Sequence, residues 1–136
     1  PVYSPSIIYE GTPAPSRDRD LNGVIFTDIP WVLGDDNELR TRATENLSGT
    51  RGQPGRLFAM GADAWHLSKR LPLLKQVESA SISGQTGVLT MTPEGSIHRE
   101  QLWAQFRNGA PELIPEPVTE EGEMEGAQEE APPLSE

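Results

Sequence analysis

The stretch RLFAMGADAWHLSKRLP, residues 56–72, predicts a long helix, and the rest of the chain is arranged around it. Apolar residues recur there at i, i+4, i+7 and i+11, the spacing of one stripe along an α-helix. The stripe consists of Met60, Ala64, Leu67 and Leu71. We expect this stripe to face the core, and we expect Pro72 to kink or end the helix.

The segment GVIFTDIPWVL, residues 23–33, predicts a buried strand ahead of that helix. The continuous apolar run from Val24 to Phe26 is typical of a strand covered on both faces, as in a parallel sheet beneath helices. Pro30 is expected to end regular pairing. Upstream, PVYSPSIIY predicts another strand, and GTPAPSRDRDLNG, residues 11–23, predicts a loop.

The segment DDNELRTRATENL, residues 35–47, predicts a second helix. Asp35 or Asp36 is expected to cap its N-terminus. Its apolar stripe would consist of Leu39, Ala43 and Leu47. Glu38 and Arg42 are spaced for a weak i,i+4 ion pair.

The stretch ISGQTGVLTMTPEGSIHREQLWAQFRNGAPELIP, residues 82–115, predicts strands joined by turns. TPEG, residues 92–95, has proline second and glycine fourth, as a β-turn prefers. RNG, residues 107–109, marks a second turn before the short strand APELIP. We expect these strands to form one meander. Together with the predicted helices, they give an α/β fold.

Length and composition limit what the chain can be. Its 136 residues allow one domain, and its apolar fraction of 35% indicates a modest core. The absence of cysteine excludes disulfides and thiolate chemistry. The sequence starts at Pro1 and shows no signal peptide and no apolar run of membrane-spanning length, so we expect a soluble piece of a longer protein.

The acidity of the chain is concentrated at its C-terminus. Residues 1–115 contain 11 basic and 13 acidic residues, whereas residues 116–136 contain eight glutamates and no basic residue. The body therefore shows no basic footprint for nucleic acid. The segment 116–136, rich in Glu, Pro and Gly, predicts a disordered tail; the alternative is an arm for a basic partner.

One segment matches the first half of a calcium-binding loop but lacks the glutamate that the second half requires. DRDLNG, residues 18–23, matches the start of the helix–loop–helix calcium motif, with Asp18, Asp20 and Asn22 as oxygen donors. The motif then requires a glutamate at loop position 12, which here is Ile29. We expect these polar residues to close a turn through side-chain-to-backbone bonds instead, with no flanking helices.

Few residues suggest a small-molecule site. Asp28 is the candidate ligand-binding residue, with Thr27 beside it, because crevice ligands in open α/β sheets meet the carboxyl ends of strands. His66 and His98 lack zinc-site spacing, and GQTG, residues 84–87, lacks the phosphate-loop pattern. We assign no catalytic, metal, cofactor or partner-binding residue. The three tryptophans are expected in the core rather than in a cleft.

Several segments together resemble a known family. The helix start Gly61, Asp63, Ala64, Trp65 precedes the strand residues Gly84, Thr86, Gly87 and the final Asn108, Gly109. This order resembles the end of a type I periplasmic-binding-protein fold. Together with PVYSPSIIYEG and RDRDLNGVIFTDIPWVLG, it makes residues 1–115 look like the C-terminal part of the penicillin-binding-protein activator lipoproteins, the LpoA or LppC family.

The resemblance implies a non-catalytic regulator. By this resemblance, the parent protein would be a lipoprotein that faces the periplasm and is held on the inner face of the outer membrane of a Gram-negative bacterium. Members of the family are implied to bind a class A penicillin-binding protein of the 1A type and to stimulate its peptidoglycan cross-linking, without a cofactor. A lipid anchor would lie outside this chain. The alternative is a periplasmic receptor for an amino acid or a similar solute, which would use Asp28.

Overall fold

The computed structural model describes residues 1–35 and 37–118 and contains two small sheets connected by helices. The strands are β1 (Val2–Ser4), β2 (Val24–Asp28), β3 (Ile82–Ser83), β4 (Val88–Met91), β5 (Ile97–Glu100), β6 (Leu102–Arg107) and β7 (Ala110–Ile114). The helices are α1 (Pro15–Asp18), α2 (Pro30–Leu33), α3 (Glu38–Asn46) and α4 (Gln53–Gln76), with 3-10 turns at Ser6–Ile8 and Arg19–Leu21. The predicted acidic tail lies outside the described residues from residue 119 onward.

The larger sheet, sheet A, has the strand order β1-β2-β6-β7. β1 runs parallel to β2, with Tyr3 opposite Ile25. β6 is antiparallel to β2, with Thr27 opposite Trp103, and β7 is antiparallel to β6. The predicted α/β fold is confirmed, with a parallel pair at one side of a mixed sheet.

β2 is buried on both faces, as its apolar run predicts. Neighbouring side chains on a strand point to opposite faces, and both Ile25 (9% exposed) and Phe26 (0%) are buried. Phe26 stacks on Phe106 of β6 at 5.0 Å between ring centroids, and Tyr9 packs against both rings. This aromatic group is the core of sheet A.

The predicted single meander is wrong, because the chain changes sheets at Gln101. β4 and β5 form a hairpin through the TPEG turn and belong with β3 to a second sheet, sheet B. β6 and β7 form a separate hairpin in sheet A through Asn108 and Gly109, both with positive φ. Both predicted turns are present, but they belong to different sheets.

The two long helices differ in their ends from the predictions. α3 begins after Asn37, whose side chain accepts the Arg40 amide at 2.9 Å, so the cap is Asn37 rather than Asp35 or Asp36. The Glu38–Arg42 ion pair is present at 3.7 Å. α4 runs from Gln53 through Pro72 to Gln76, so the proline does not end it. Within residues 1–35 and 37–118, none of the helices combines the length and apolarity needed to cross a membrane.

The predicted core stripe of α4 is also wrong. The positions of α4 that are buried are Gly55, Ala59, Asp63 and Leu74. Met60, by contrast, is 51% exposed. Similarly, Leu47 lies just beyond α3 and is 50% exposed, so the α3 stripe does not extend to it. Sequence periodicity located the helix correctly but not its buried face.

Candidate functional site

Asp28, the candidate ligand-binding residue, lies at the carboxyl end of β2 and is completely buried. One carboxylate oxygen accepts the Ile29 amide at 2.8 Å and Arg56 Nε at 3.2 Å. The other oxygen accepts Arg56 Nη2. A ligand would therefore have to displace Arg56 in order to use Asp28, whose role in ligand binding stays a prediction.

Arg56 connects the first turns of α4 to sheet A. Besides binding Asp28, its Nη2 atom donates to the Tyr9 carbonyl at 2.8 Å. The Arg56 side chain is 16% exposed and that of Asp28 1%, so the ion pair is largely shielded from water. Buried ion pairs fix geometry strongly, because losing one partner leaves an uncompensated charge. The pair therefore holds the end of β2, the segment after β1 and α4 together.

A second buried carboxylate, Asp63, joins α4 to the loop before β4. Asp63 accepts the Gln85 amide at 2.7 Å and the Thr86 amide at 2.8 Å, and it also accepts the Thr86 hydroxyl. Asp63 is 2% exposed and Thr86 is equally buried. The middle of α4 and the GQTG segment, which are more than 20 residues apart in sequence, thus meet at one carboxylate.

Gly84 allows this contact for a steric reason. A Cβ atom built at Gly84 would lie 2.5 Å from Asp63 Oδ2, closer than side chains tolerate. Gly87 has a φ of 140°, and a Cβ there would also collide with the Glu100 carbonyl. The glycines of GQTG therefore allow this loop to approach Asp63 and the backbone of β5 closely.

A polar cavity of about 410 Å³ lies beside α3, between the loop after β1 and the segment preceding α4. Its polar lining includes Arg40, Thr41, Thr44, Glu45, Thr50 and Arg51. The Thr44 and Thr50 hydroxyls donate to backbone carbonyls, at 2.9 Å to Arg40 and 3.1 Å to Leu47. The volume lies within the range of small-molecule pockets. Sequence reasoning missed this cavity because its walls come from segments without a motif.

The three tryptophans have different environments, so the core prediction holds for one of them. Trp31 is 3% exposed, packs on Phe58 at 5.2 Å and donates to the Thr50 carbonyl at 3.3 Å. Trp103 on β6 lies edge-on to Tyr3 on β1, with 6.3 Å between the ring centroids. Trp65 is 64% exposed, with Lys69 Nζ 4.3 Å from its ring centroid.

The polar residues of DRDLNG separate instead of converging. Asp18 is buried and accepts Arg17 Nε at 2.7 Å. Asn22 Oδ1 accepts the Gly109 amide at 2.8 Å, which ties this segment to the β6–β7 turn rather than to its own backbone. A short helix, α1, ends at Asp18, so the expectation that no helix flanks the segment is wrong.

The histidines, which showed no zinc-site spacing, lie on different elements of the fold. His66 lies on α4 and His98 on β5, and both are exposed. Among the residues that the structure describes, no three His, Asp or Glu side chains are placed to hold a metal ion.

Burial raises the pKa of the Tyr9 hydroxyl above its ordinary value, and the negative charges of Asp18 and Asp28 raise it further. The Arg56 and Arg40 guanidinium groups act in the opposite direction. The tyrosine is 3% exposed and stays neutral at physiological pH. It therefore serves as a packing group of the aromatic core.

Comparison with known proteins connects these features to a family. The family described as "LppC putative lipoprotein" matches residues 1–109, from β1 to the β6–β7 turn. This chain belongs to that family. The matched region contains the buried carboxylates Asp28 and Asp63, with the groups that bind them.

Relatives of this LppC family chain include proteins named penicillin-binding protein activator LpoA. The one from Serratia proteamaculans is 34% identical over 108 residues, which are 79% of this chain and 16% of that protein. The one from Haemophilus influenzae is 38% identical over 90 residues. The chain thus spans about one sixth of the length of these relatives.

Solved structures give the same assignment. Full-length LpoA from Haemophilus influenzae matches with a TM-score of 0.69 and 30% identity, covering 82% of this chain and 21% of that one. Its C-domain, described as a regulator of PBP1A, matches with a TM-score of 0.67, and 36% of that domain is covered. A "putative branched-chain amino acid ABC transporter" from Chromobacterium violaceum matches with a TM-score of 0.58 and 27% identity. The chain is therefore similar to the C-terminal part of LpoA, with a binding-protein-like fold.

Proposed function

We propose that this chain is part of a non-catalytic regulator that binds a class A penicillin-binding protein and stimulates its transpeptidase activity. The observation that carries the proposal is the match to the Haemophilus influenzae C-domain, a regulator of PBP1A, over 82% of this chain at 30% identity. The relatives named as activators of penicillin-binding proteins support the same function.

The geometry at the end of β2 favours a regulator over a solute receptor. A receptor for an amino acid needs an acidic group available to the ligand's ammonium group. Asp28, the acid at the strand end, already binds Arg56 and the Ile29 amide. The Asp28 carboxylate therefore binds groups of the protein rather than a ligand, as expected of a domain that acts through contacts at its surface.

We also propose the location of the parent protein. The family assignment supports a lipoprotein of the cell envelope. The finer proposal is a periplasmic protein held on the inner face of the outer membrane by an N-terminal lipid outside this chain. Fractionation of cells that produce the full-length protein would test this, because the protein should separate with outer-membrane vesicles and should leave that fraction if its lipid attachment is removed.

The binding step can be tested with purified proteins. We expect the intact domain that contains this chain to bind an immobilised class A synthase saturably. Absence of binding to the synthase, with a correctly folded domain, would contradict the proposal.

A solute receptor is the second candidate, supported by the likeness to the transporter protein of Chromobacterium violaceum and by the polar cavity of about 410 Å³. Thermal shift in the presence of amino acids tests it. A saturable stabilisation that Thr41→Ala at the cavity wall weakens would favour the receptor. No stabilisation by any amino acid would leave the regulator as the better explanation.

A further inference from the structure

The outward side of α4 carries an apolar surface that a solvent-facing helix would not be expected to have. We define this α4 face by the exposed positions Leu57, Met60, Gly61, Ala64, Trp65 and Ser68. Leu57 is 72% exposed, Met60 51% and Trp65 64%. No charged residue occupies any of these positions. Helices exposed to water normally place charged and polar residues there.

The α4 face lies opposite the surface that α4 already buries. Ala59 and Asp63 point into the protein, and each residue advances about 100° around a helix. Leu57, Gly61 and Ala64 therefore project away from the buried side. A helix that is apolar on both sides is typical of the interior of a larger domain.

The centre of the α4 face is shaped for close contact. A Cβ atom built at Gly61 would meet nothing within 4 Å, so the surface is open there. Gly61 and Ala64, which carry little or no side chain, are exposed on the same face as the larger Met60 and Trp65. Lys69 Nζ lies over the Trp65 ring, 4.3 Å from its centroid, at the border of this face.

We propose that the α4 face is an internal interface, covered by the remaining part of the same binding-protein-like domain. We infer what covers the α4 face from the comparison with the solved C-domain, because this chain matches only 36% of that domain. An uncharged and largely apolar surface is typical of permanent interfaces, whereas transient ones are more polar. The inference does not depend on which enzyme the domain regulates.

The test uses the full-length protein that contains this chain, treated with hydrogen peroxide and analysed by mass spectrometry. We expect Met60 to be oxidised at least about tenfold more slowly in the native protein than in urea, because the covering segment excludes peroxide. Oxidation of Met60 at the denatured rate would overturn the proposal. Protection that disappears on dilution would also overturn it, since a second copy would then be the occupant.

Substitution of the face gives a second readout in the same protein. Met60→Glu should lower the melting temperature of the full-length protein by about 5 °C or more, because it buries a charge. Val118→Glu is the matched control, since Val118 is 79% exposed and lies beyond the family match. An unchanged melting temperature for Met60→Glu, with synthase binding lost, would identify the synthase as the occupant and overturn the internal interface.

Discussion

Replacing Asp63 by alanine should destabilise the domain more than any other single change near the GQTG segment. The carboxylate accepts three hydrogen bonds, two from amides and one from the Thr86 hydroxyl. Leaving a buried donor without a partner costs about 1–3 kcal/mol. Both Thr86 donors are buried, so we expect a loss of about 3 kcal/mol or more. That is a large fraction of the roughly 5–15 kcal/mol that stabilises an ordinary domain.

The assay is urea unfolding, followed by tryptophan fluorescence, of the smallest piece of the parent protein that unfolds cooperatively. Thr86→Val removes only the hydroxyl donor and should cost less, about 1 kcal/mol. Glu94→Ala, in the exposed turn of the β4–β5 hairpin, is the matched control and should change stability by less than about 0.5 kcal/mol. A loss below about 1 kcal/mol for Asp63→Ala would refute the reasoning that this carboxylate holds α4 to the loop.

Three further predictions concern the core and the tail. Arg56→Ala should cost about 3–5 kcal/mol in urea unfolding because it leaves Asp28 charged and buried, and Arg56→Lys should recover part of this; equal stability of all three proteins would contradict the buried-pair argument. Burial raises the pKa of Tyr9 in the folded protein. The stability that this shift provides is fully present below the unfolded pKa of about 10 and is lost as the pH rises through the folded pKa. Tyr9→Phe should therefore reduce the loss of stability that occurs as the pH rises above about 10, and an unchanged pH profile would count against it. Deletion of residues 116–136 should leave the melting temperature unchanged; a clear fall would show that the tail packs on the domain.

Local signals in the sequence predicted local structure well. The apolar run of Val24, Ile25 and Phe26 predicted a doubly covered strand because burial on both faces removes the usual alternation. TPEG and the Asn108–Gly109 pair predicted turns because proline fixes φ and glycine accepts a positive φ. These signals depend on a few neighbouring residues, so one sequence was enough to interpret them.

Long-range features could not be predicted in the same way. Asp28 and Arg56 are separated by 28 residues, and no spacing rule pairs them. The switch of sheets at Gln101 is likewise invisible, because β5 and β6 are almost continuous in the chain. The buried face of α4 was missed because it contains Asp63, a charged residue that periodicity counts as polar. An aspartate between small residues in a helix interior was the one available signal of that contact.

The most direct test of the proposed function is peptidoglycan cross-linking by a purified class A synthase, measured with and without the intact domain that contains this chain. Synthase, substrate and detergent are held constant, and a heat-denatured sample of the domain serves as the control. We predict that the native domain increases the fraction of cross-linked product and that the denatured sample does not. An unchanged fraction at saturating native domain would contradict the activator function.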